Sequence, residues 1–151
     1  MGKRREGRAA AVQYLFAREL QGEGEPANAG EFWSIHSAKA SVRSHAESLA
    51  QGVLSHLEEI DAHIRPVLDN FRIERLAAVD RNILRLAVHE LLHLPDVPGP
   101  VVINEAIEIA KSLGGGESGS FVNGILHKIA QKVRKPVAAE APGREGGKTA
   151  D

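Results

Sequence analysis

A pair of histidines four residues apart is the motif in this sequence closest to a known catalytic pattern. Residues 89–93 read His-Glu-Leu-Leu-His, and in zinc hydrolases this H-E-x-x-H pattern supplies two metal ligands and a general base. Here Arg85 lies one turn earlier on the same face and would repel a cation, and Glu90 projects toward the apolar face. No extended motif supplies a third ligand. The sequence therefore favours two solvated histidines at a helix end, where imidazolium suits the helix dipole.

Other groups capable of catalysis are scarce. The chain has no cysteine, which excludes a thiolate nucleophile, a disulfide framework and a cysteine zinc site. Ser118 and Ser120 follow the glycines 114–116, but no nucleophile elbow and no Lys-Ser/Thr of a phosphate-binding loop accompanies them. Helix capping by a serine and helix termination by glycines with positive φ explain these features better. We expect no catalytic residue, no metal site and no cofactor.

Two groups of residues suit contact with RNA. The first is a cluster of cations at the N-terminus, whose side chains can bind phosphate or stack on bases. The second surrounds the start of the last predicted helix, where Phe121 and Asn123 could meet unstacked bases and phosphate, with Lys111 nearby. Taken alone, each group is better explained by a solubilising terminus or by core packing. The N-terminal cations are Lys3, Arg4, Arg5 and Arg8.

Helices must position these groups, because apolar residues recur every three or four positions and no segment alternates as a strand does. We therefore expect an all-α fold of about six or seven helices. The segment 73–94 is the most apolar and predicts a central helix touched by several neighbours, with Asn82, Arg85, His89 and His93 opposite its apolar face. The other predicted helices cover residues 9–20, 31–35 (weakly), 42–60, 61–68 with a kink at Pro66, 101–113 and 118–133.

Composition and length limit the class of protein. The 151 residues carry 19 basic and 20 acidic side chains, so overall basicity gives no argument for nucleic acid. We expect one domain over residues 1–134 and a disordered tail over residues 135–151, which are rich in Ala, Gly, Pro and charge. No apolar run approaches the roughly 18–20 residues of a membrane span. The N-terminus lacks a secretory pattern, so we expect a cytoplasmic protein.

Four blocks of sequence, in the same order, resemble the NusB family of transcription antitermination factors over roughly residues 3–134. The resemblance implies an all-helical fold of two small perpendicular bundles, and it implies no catalysis. The blocks are residues 104–114 (NEAIEIAKSLG), 121–126 (FVNGIL), 79–87 (VDRNILRLA) with Glu90 and Leu91, and 8–13 (RAAAVQ) with Leu15 and Phe16.

The resemblance also implies partners and site residues. Members of the family pair with NusE, a small-subunit ribosomal protein, and hold the single-stranded boxA RNA of ribosomal RNA leaders on the RNA polymerase elongation complex with other Nus factors. No membrane partner is implied, and similar proteins form homodimers that can bury the RNA face. By position, the RNA-binding residues are Lys3, Arg4, Arg5, Arg8, Lys111, Glu117, Ser118, Phe121, Asn123 and Gly124. Those that face the protein partner are Phe16, Glu74 and Asp80.

The chain departs from the family pattern at three of these places. Ser120 stands where the family often has a lysine, which removes one phosphate contact. Glu117 replaces a frequent aspartate, and Phe16 lacks the hydroxyl of a frequent tyrosine. Gly124 lies inside a predicted helix at a cost of about 1 kcal/mol against alanine, which a close helix or ligand approach would explain. The alternative functions are a helical interaction module without specific RNA binding and, third, a metal-dependent hydrolase.

Overall fold

A computed structural model describes residues 2–20, 32–33, 39–69 and 72–134, and six α-helices lie complete within these ranges. Residues 32–33 are helical, and the rest of the weakly predicted helix 31–35 lies outside the described residues. Two single 3₁₀ turns, Arg65–Val67 and Ile73–Arg75, separate the third helix from the fourth. The described ranges contain no strand, which confirms the predicted all-α class. The helices are α1 (Lys3–Leu20), α2 (Ala40–Ser55), α3 (Leu57–Ile64), α4 (Ala78–His93), α5 (Gly99–Leu113) and α6 (Ser118–Val133).

The amphipathic stripe predicted as one helix over residues 42–60 is divided at His56. The backbone N–H of His56 bonds the carbonyls of Gly52 and Val53 and closes α2, and α3 then begins at the next residue. In place of the helix predicted over residues 61–68 with a kink at Pro66, the helix changes type there, because proline lacks the N–H that a continuing α-helix requires. The chain accordingly leaves α3 at Ile64 and forms a 3₁₀ turn.

Helix α4 lies at the centre of the molecule, as predicted, and packs against α1, α2, α3, α5 and α6. Ile83, Leu84 and Val88 on this helix are almost wholly buried. The expected polar face is wrong for two residues, since Asn82 is 1% exposed and His89 is 6% exposed. Neighbouring helices surround α4 on more sides than its apolar stripe alone predicts. The buried side-chain amide of Asn82 donates a hydrogen bond within its own helix, to the Ala78 carbonyl 2.9 Å away.

The turn between α5 and α6 does not use the left-handed backbone that its glycines suggested. Gly114 has φ −98°, and a glycine is needed at this position because there is no space for a side chain. A Cβ there would lie 2.5 Å from Ser118 Oγ, which accepts the Gly115 N–H at 3.0 Å. Ser118 therefore closes the turn from the first residue of α6, and the position before it, Glu117, makes no side-chain capping bond.

Arg134, at the end of the described chain, is held by the end of α4. Its guanidinium donates to the carbonyls of Glu90, Leu91, Leu94 and Val97 at 2.9–3.2 Å. The carbonyls of Glu90 and Leu94 also accept backbone N–H groups, so the guanidinium supplements the backbone bonds at the end of α4 and ties the end of α6 to it. The predicted tail, residues 135–151, lies outside the described residues. None of the helices described is long and apolar enough to cross a bilayer.

Candidate nucleic-acid interface

The first turn of α1 places two cations on an open groove. Lys3 and Arg4 are both exposed and line a groove of about 560 Å³. The groove also contains His45 of α2, the buried Arg8 and Glu90, and residues 93–97, from the end of α4 into the connection to α5. Two cations on the edge of an open groove are suited to a phosphate backbone rather than to a small enclosed ligand.

Arg5, the third N-terminal cation, is held by a carboxylate of α5. Its Nε and one terminal nitrogen donate to the two oxygens of Glu105 at 2.8 and 2.6 Å. Hydrogen bonding from Arg5 lowers the pKa of Glu105, and the same contact raises the pKa of the guanidinium. The bidentate pair fixes the start of α1 against α5, while the Arg5 side chain stays one-third exposed.

Arg8 lies in the core and pairs with Glu90 of α4. The two side chains form two parallel hydrogen bonds of 2.9 Å, with exposures of 8% and 3%. Glu105 approaches the same guanidinium to 3.9 Å. Both charges are thus compensated inside the protein, and Glu90 cannot act as the base of a hydrolase. The assignment of Arg8 to RNA contact stays a prediction, and the contacts seen give it the role of positioning α1.

The histidines of the H-E-x-x-H motif have different environments. His89 is buried, with no hydrogen-bond partner at Nδ1 among the described residues. Burial, followed by the charges of His93 and His56, lowers the pKa of His89 to about 4. The interpretation as a solvated, charged residue is therefore wrong for His89. His93 is partly exposed, and its Nε2 lies 2.8 Å from Glu59 Oε1.

A second groove contains part of the predicted loop and last-helix site. Lys111, Glu117 and Asn123 line an open space of about 420 Å³, together with Ser120, two loop glycines and Gly119 of α6. Phe121 is half-buried against the apolar core. Ser118, in contrast, is buried, and the assignment of these residues to RNA contact stays a prediction.

Gly124 lies on the outer face of α6 and is exposed. A Cβ at this position would meet no atom of the described chain within 4 Å. A close helix–helix contact therefore does not account for this glycine within the described structure. The close approach of a ligand remains as an explanation.

A row of charged residues along α5 runs from Glu105, which contacts the Arg8 that lines the first groove, to Lys111, which lines the second. Glu105, Glu108 and Lys111 are three residues apart and so lie on one side of the helix. Glu105 holds Arg5, and Glu108 lies 3.5 Å from Lys111 Nζ. The row is therefore not only a solvated face, because one of its ends binds α1. Over six residues it spans about 9 Å along the helix.

The residues assigned to a protein partner lie near a third groove, of about 510 Å³. Glu74 lines it, and its side chain is 64% exposed. Asp80 is half-buried in the first turn of α4, and its Oδ1 has no hydrogen-bond partner among the described residues. Phe16 is also half-buried. Of these three residues, only Glu74 lines the groove itself.

An ion network forms the floor of this third groove. Glu19 of α1 accepts from Arg81 at 2.6 Å and from Arg85 at 3.0 Å. Arg85 in turn donates to both oxygens of Asp61 on α3. The charge of Arg85 is thus compensated by two carboxylates. The network joins α1, α3 and α4, and sequence reasoning did not predict it.

An all-α fold with open grooves lined by charged side chains places this protein in the class of small helical proteins, which includes proteins that bind nucleic acids. The NusB family profile matches residues 5–131. This chain belongs to the NusB family.

Similar proteins span nearly the whole described chain. A transcription antitermination protein NusB from Sorangium cellulosum is 44% identical over 133 residues, covering 88% of this chain and 95% of its own length. The solved T. maritima NusB matches with a TM-score of 0.76 at 38% identity, covering 87% of this chain and 92% of that one. A crystal structure of antitermination factors NusB and NusE in complex with dsRNA matches with a TM-score of 0.75 at 30% identity, covering 87% and 98%.

Sequence reasoning missed the acidic partners of the predicted cations. Glu90 was interpreted only as a motif residue that projects toward the apolar face, and Glu105 was given no role, yet each binds an arginine of α1. One signal was available for Arg8, since four of the next five residues in its helix are apolar. A helix face of that composition is buried, and a buried arginine needs a carboxylate.

Proposed function

We propose that this protein is an RNA-binding transcription antitermination factor that binds the boxA element of ribosomal RNA leaders together with NusE. In this role it helps an elongating RNA polymerase, with other Nus factors, to resist termination. The observation that carries the proposal is the pair of open grooves at the two ends of the charged row on α5. Membership of the NusB family supports it.

The N-terminal groove supplies the electrostatic part of binding. Lys3 and Arg4 are exposed cations on the groove edge, and Arg5 keeps one-third of its side chain accessible beside them. The Arg5–Glu105 and Arg8–Glu90 pairs hold this helix start in place, so little order has to be gained on binding. The cations therefore capture phosphates, and the buried arginine positions them.

The groove at the start of α6 supplies contacts to bases and sugars. Asn123 can donate and accept hydrogen bonds there, and Lys111 adds a positive charge. The open space beside Gly124 allows an RNA strand to approach the helix backbone closely. Single-stranded RNA, with its bases splayed out, suits such a surface.

Carboxylates near the third groove suit a basic protein partner such as NusE. Glu74 is exposed beside this groove, and Asp80 is half-buried in the first turn of α4. We propose that Phe16 adds an apolar contact there. RNA held by two proteins at once gains from effective concentration, so each surface alone needs only weak affinity.

The proposed function needs no catalytic step and no cofactor, and it takes place where ribosomal RNA is transcribed, in the cytoplasm. Self-association that covers the RNA grooves stays a prediction. Sedimentation of the protein alone, and then with RNA, checks it, because RNA should dissociate a dimer of that kind.

Replacing both Lys3 and Arg4 with alanine should weaken binding to boxA RNA and reduce its salt dependence. For single strands, each lost phosphate contact lowers the slope of log K against log salt by about 0.7. Fluorescence anisotropy with boxA and scrambled RNA, over a series of salt concentrations, measures both quantities. The charge-matched control is Arg65→Ala with Arg75→Ala, two exposed cations outside both RNA grooves.

An unchanged slope in the Lys3/Arg4 variant, or an equal change in the control, contradicts the assignment of the N-terminal groove. No preference for boxA over scrambled RNA, with or without NusE, instead supports a helical interaction module without specific RNA binding.

Replacing Glu74 and Asp80 with alanine should lower affinity for NusE and leave the affinity of the protein alone for RNA unchanged. The reason is that Glu74 lines a groove distinct from the two RNA grooves, and Asp80 lines neither of the RNA grooves. Titration calorimetry with NusE and anisotropy with RNA measure the two affinities, and circular dichroism checks the fold. Glu58→Ala with Asp69→Ala, which removes two other exposed acids, is the control. Parallel loss of both affinities would show that the surfaces are not separate.

A further inference from the structure

Three side chains with metal-ligating atoms meet where α3 begins and α4 ends. Within the described chain, one ring nitrogen of His56, one of His93 and a carboxylate oxygen of Glu59 all lie within 4.8 Å of one another. The two imidazole rings stack with centroids 3.9 Å apart, and His93 Nε2 is already 2.8 Å from Glu59 Oε1. His56 and Glu59 are three residues apart, and the packing of α3 against α4 brings His93, 34 positions after Glu59, next to them.

The orientation of His56 is suited to a metal ligand. Its Nδ1 lies 3.0 Å from the carbonyl oxygen of Gly52, and a carbonyl can only accept, so Nδ1 carries the hydrogen. The lone pair of the neutral ring is then on Nε2. Histidines that ligate metals are commonly fixed in this manner, with the second nitrogen donating to a backbone carbonyl or a carboxylate.

We propose that His56, Glu59 and His93 bind a divalent transition metal ion, with Zn²⁺ as the ion the ligands fit best. Two imidazoles and one carboxylate match the nitrogen and oxygen ligands of zinc, and leave a fourth tetrahedral position for water. Calcium and magnesium prefer sets made of oxygen alone. Zinc bonds of about 2.0–2.2 Å place ligand atoms about 3.4 Å apart, so small side-chain rotations close the set.

The surroundings permit a cation at this place. His56 and His93 are half-buried and Glu59 is exposed, so the ion can enter from solvent. The nearest further ring, His89, lies 5.5 Å from His93 and 5.9 Å from His56. The charge of Arg85, the residue one turn before His89, is compensated by Asp61 and Glu19. The two histidine ligands of the proposed site are thus His56 and His93, so only His93 of the H-E-x-x-H motif would bind the metal.

A bound ion would have two consequences. It would tie the end of α4 to the start of α3, and so stabilise the folded state by mass action. His93 also lines the groove that contains Lys3 and Arg4, so the ion would add positive charge at the edge of that groove.

Calorimetric titration of the full chain with ZnCl₂, after removal of metals with a chelator, tests the site directly. We expect one equivalent of zinc to bind and to raise the melting temperature, and Mg²⁺ to do neither. Glu59→Gln and His56→Gln should each lower zinc affinity by at least the roughly 10–100-fold that the loss of an outer-shell partner costs. No RNA enters this assay, so its result is independent of the RNA-binding proposal.

Two controls separate this site from binding elsewhere. Glu58→Gln changes the neighbouring exposed carboxylate, and His127→Gln changes an exposed histidine on α6; both should keep the affinity of the unaltered protein. Glu59 is on the surface, so its variant keeps the test valid if His56→Gln does not fold. Zinc binding that is absent, or unaffected by Glu59→Gln, overturns the proposal, as does an equal loss in Glu58→Gln.

Discussion

Replacing Glu90 with glutamine should lower the free energy of unfolding by about 3–5 kcal/mol, the usual cost of leaving one charge of a buried pair alone. Arg8 and Glu90 are both nearly inaccessible to water and share two hydrogen bonds of 2.9 Å. Glutamine keeps the size of the side chain but removes its charge and one acceptor. The only carboxylate left near Arg8 in the described structure is Glu105, at 3.9 Å and already bound to Arg5.

Urea denaturation followed by circular dichroism measures this loss. The control is Glu47→Gln in the exposed Arg43–Glu47 pair, where the closest atoms are 3.5 Å apart and both side chains are more than 40% exposed. Exposed pairs of that kind contribute about 0–1 kcal/mol. A loss in Glu90→Gln as small as in the control would mean that the pair is solvated. Replacing both partners, as Arg8→Met with Glu90→Leu, should recover most of the lost stability, because no unpaired charge remains.

Replacing Gly52 with alanine should destabilise the protein although alanine is the better helix former. A Cβ at Gly52 would overlap the imidazole of His89, which lies across from it on α4. Overpacking a filled core costs about 1–3 kcal/mol, whereas alanine returns at most about 1 kcal/mol of helix propensity. The ring has little room to move aside, because it is buried next to His56 and His93.

Gly124 is the matched control, since it is also a glycine inside a helix but has open space at its Cβ position. Gly124→Ala should therefore stabilise α6 by about 0.5–1 kcal/mol. A double-mutant cycle of Gly52→Ala with His89→Ala, measured by urea denaturation, should give a favourable coupling of about 0.5–3 kcal/mol for residues in contact. Equal stabilisation by Gly52→Ala and Gly124→Ala would show that α2 and α4 can separate without cost.

Much of the fold was determined by the local pattern of residues. Helical spacing of apolar side chains predicted the all-α class and the central position of residues 73–94, because each helix must bury its stripe against a neighbour. Pro66 marked the end of α3, since its missing N–H acts locally. The break at His56 was not predictable in this way, because apolar spacing continues across it and the backbone bonds that close α2 depend on packing.

The sequence by itself determined which residues could contact RNA, through residue type and matching blocks, but not which of them face solvent. Lys3, Arg4, Arg5 and Arg8 are equivalent as cations in the sequence. Only the tertiary structure decided that the first two lie on an open groove while Arg8 is buried on Glu90, 82 positions away. Likewise, only the tertiary structure brings His93 next to His56 and Glu59. The physical reason is that burial and pairing of charges depend on contacts between distant segments, whereas helix formation depends mainly on near neighbours along the chain.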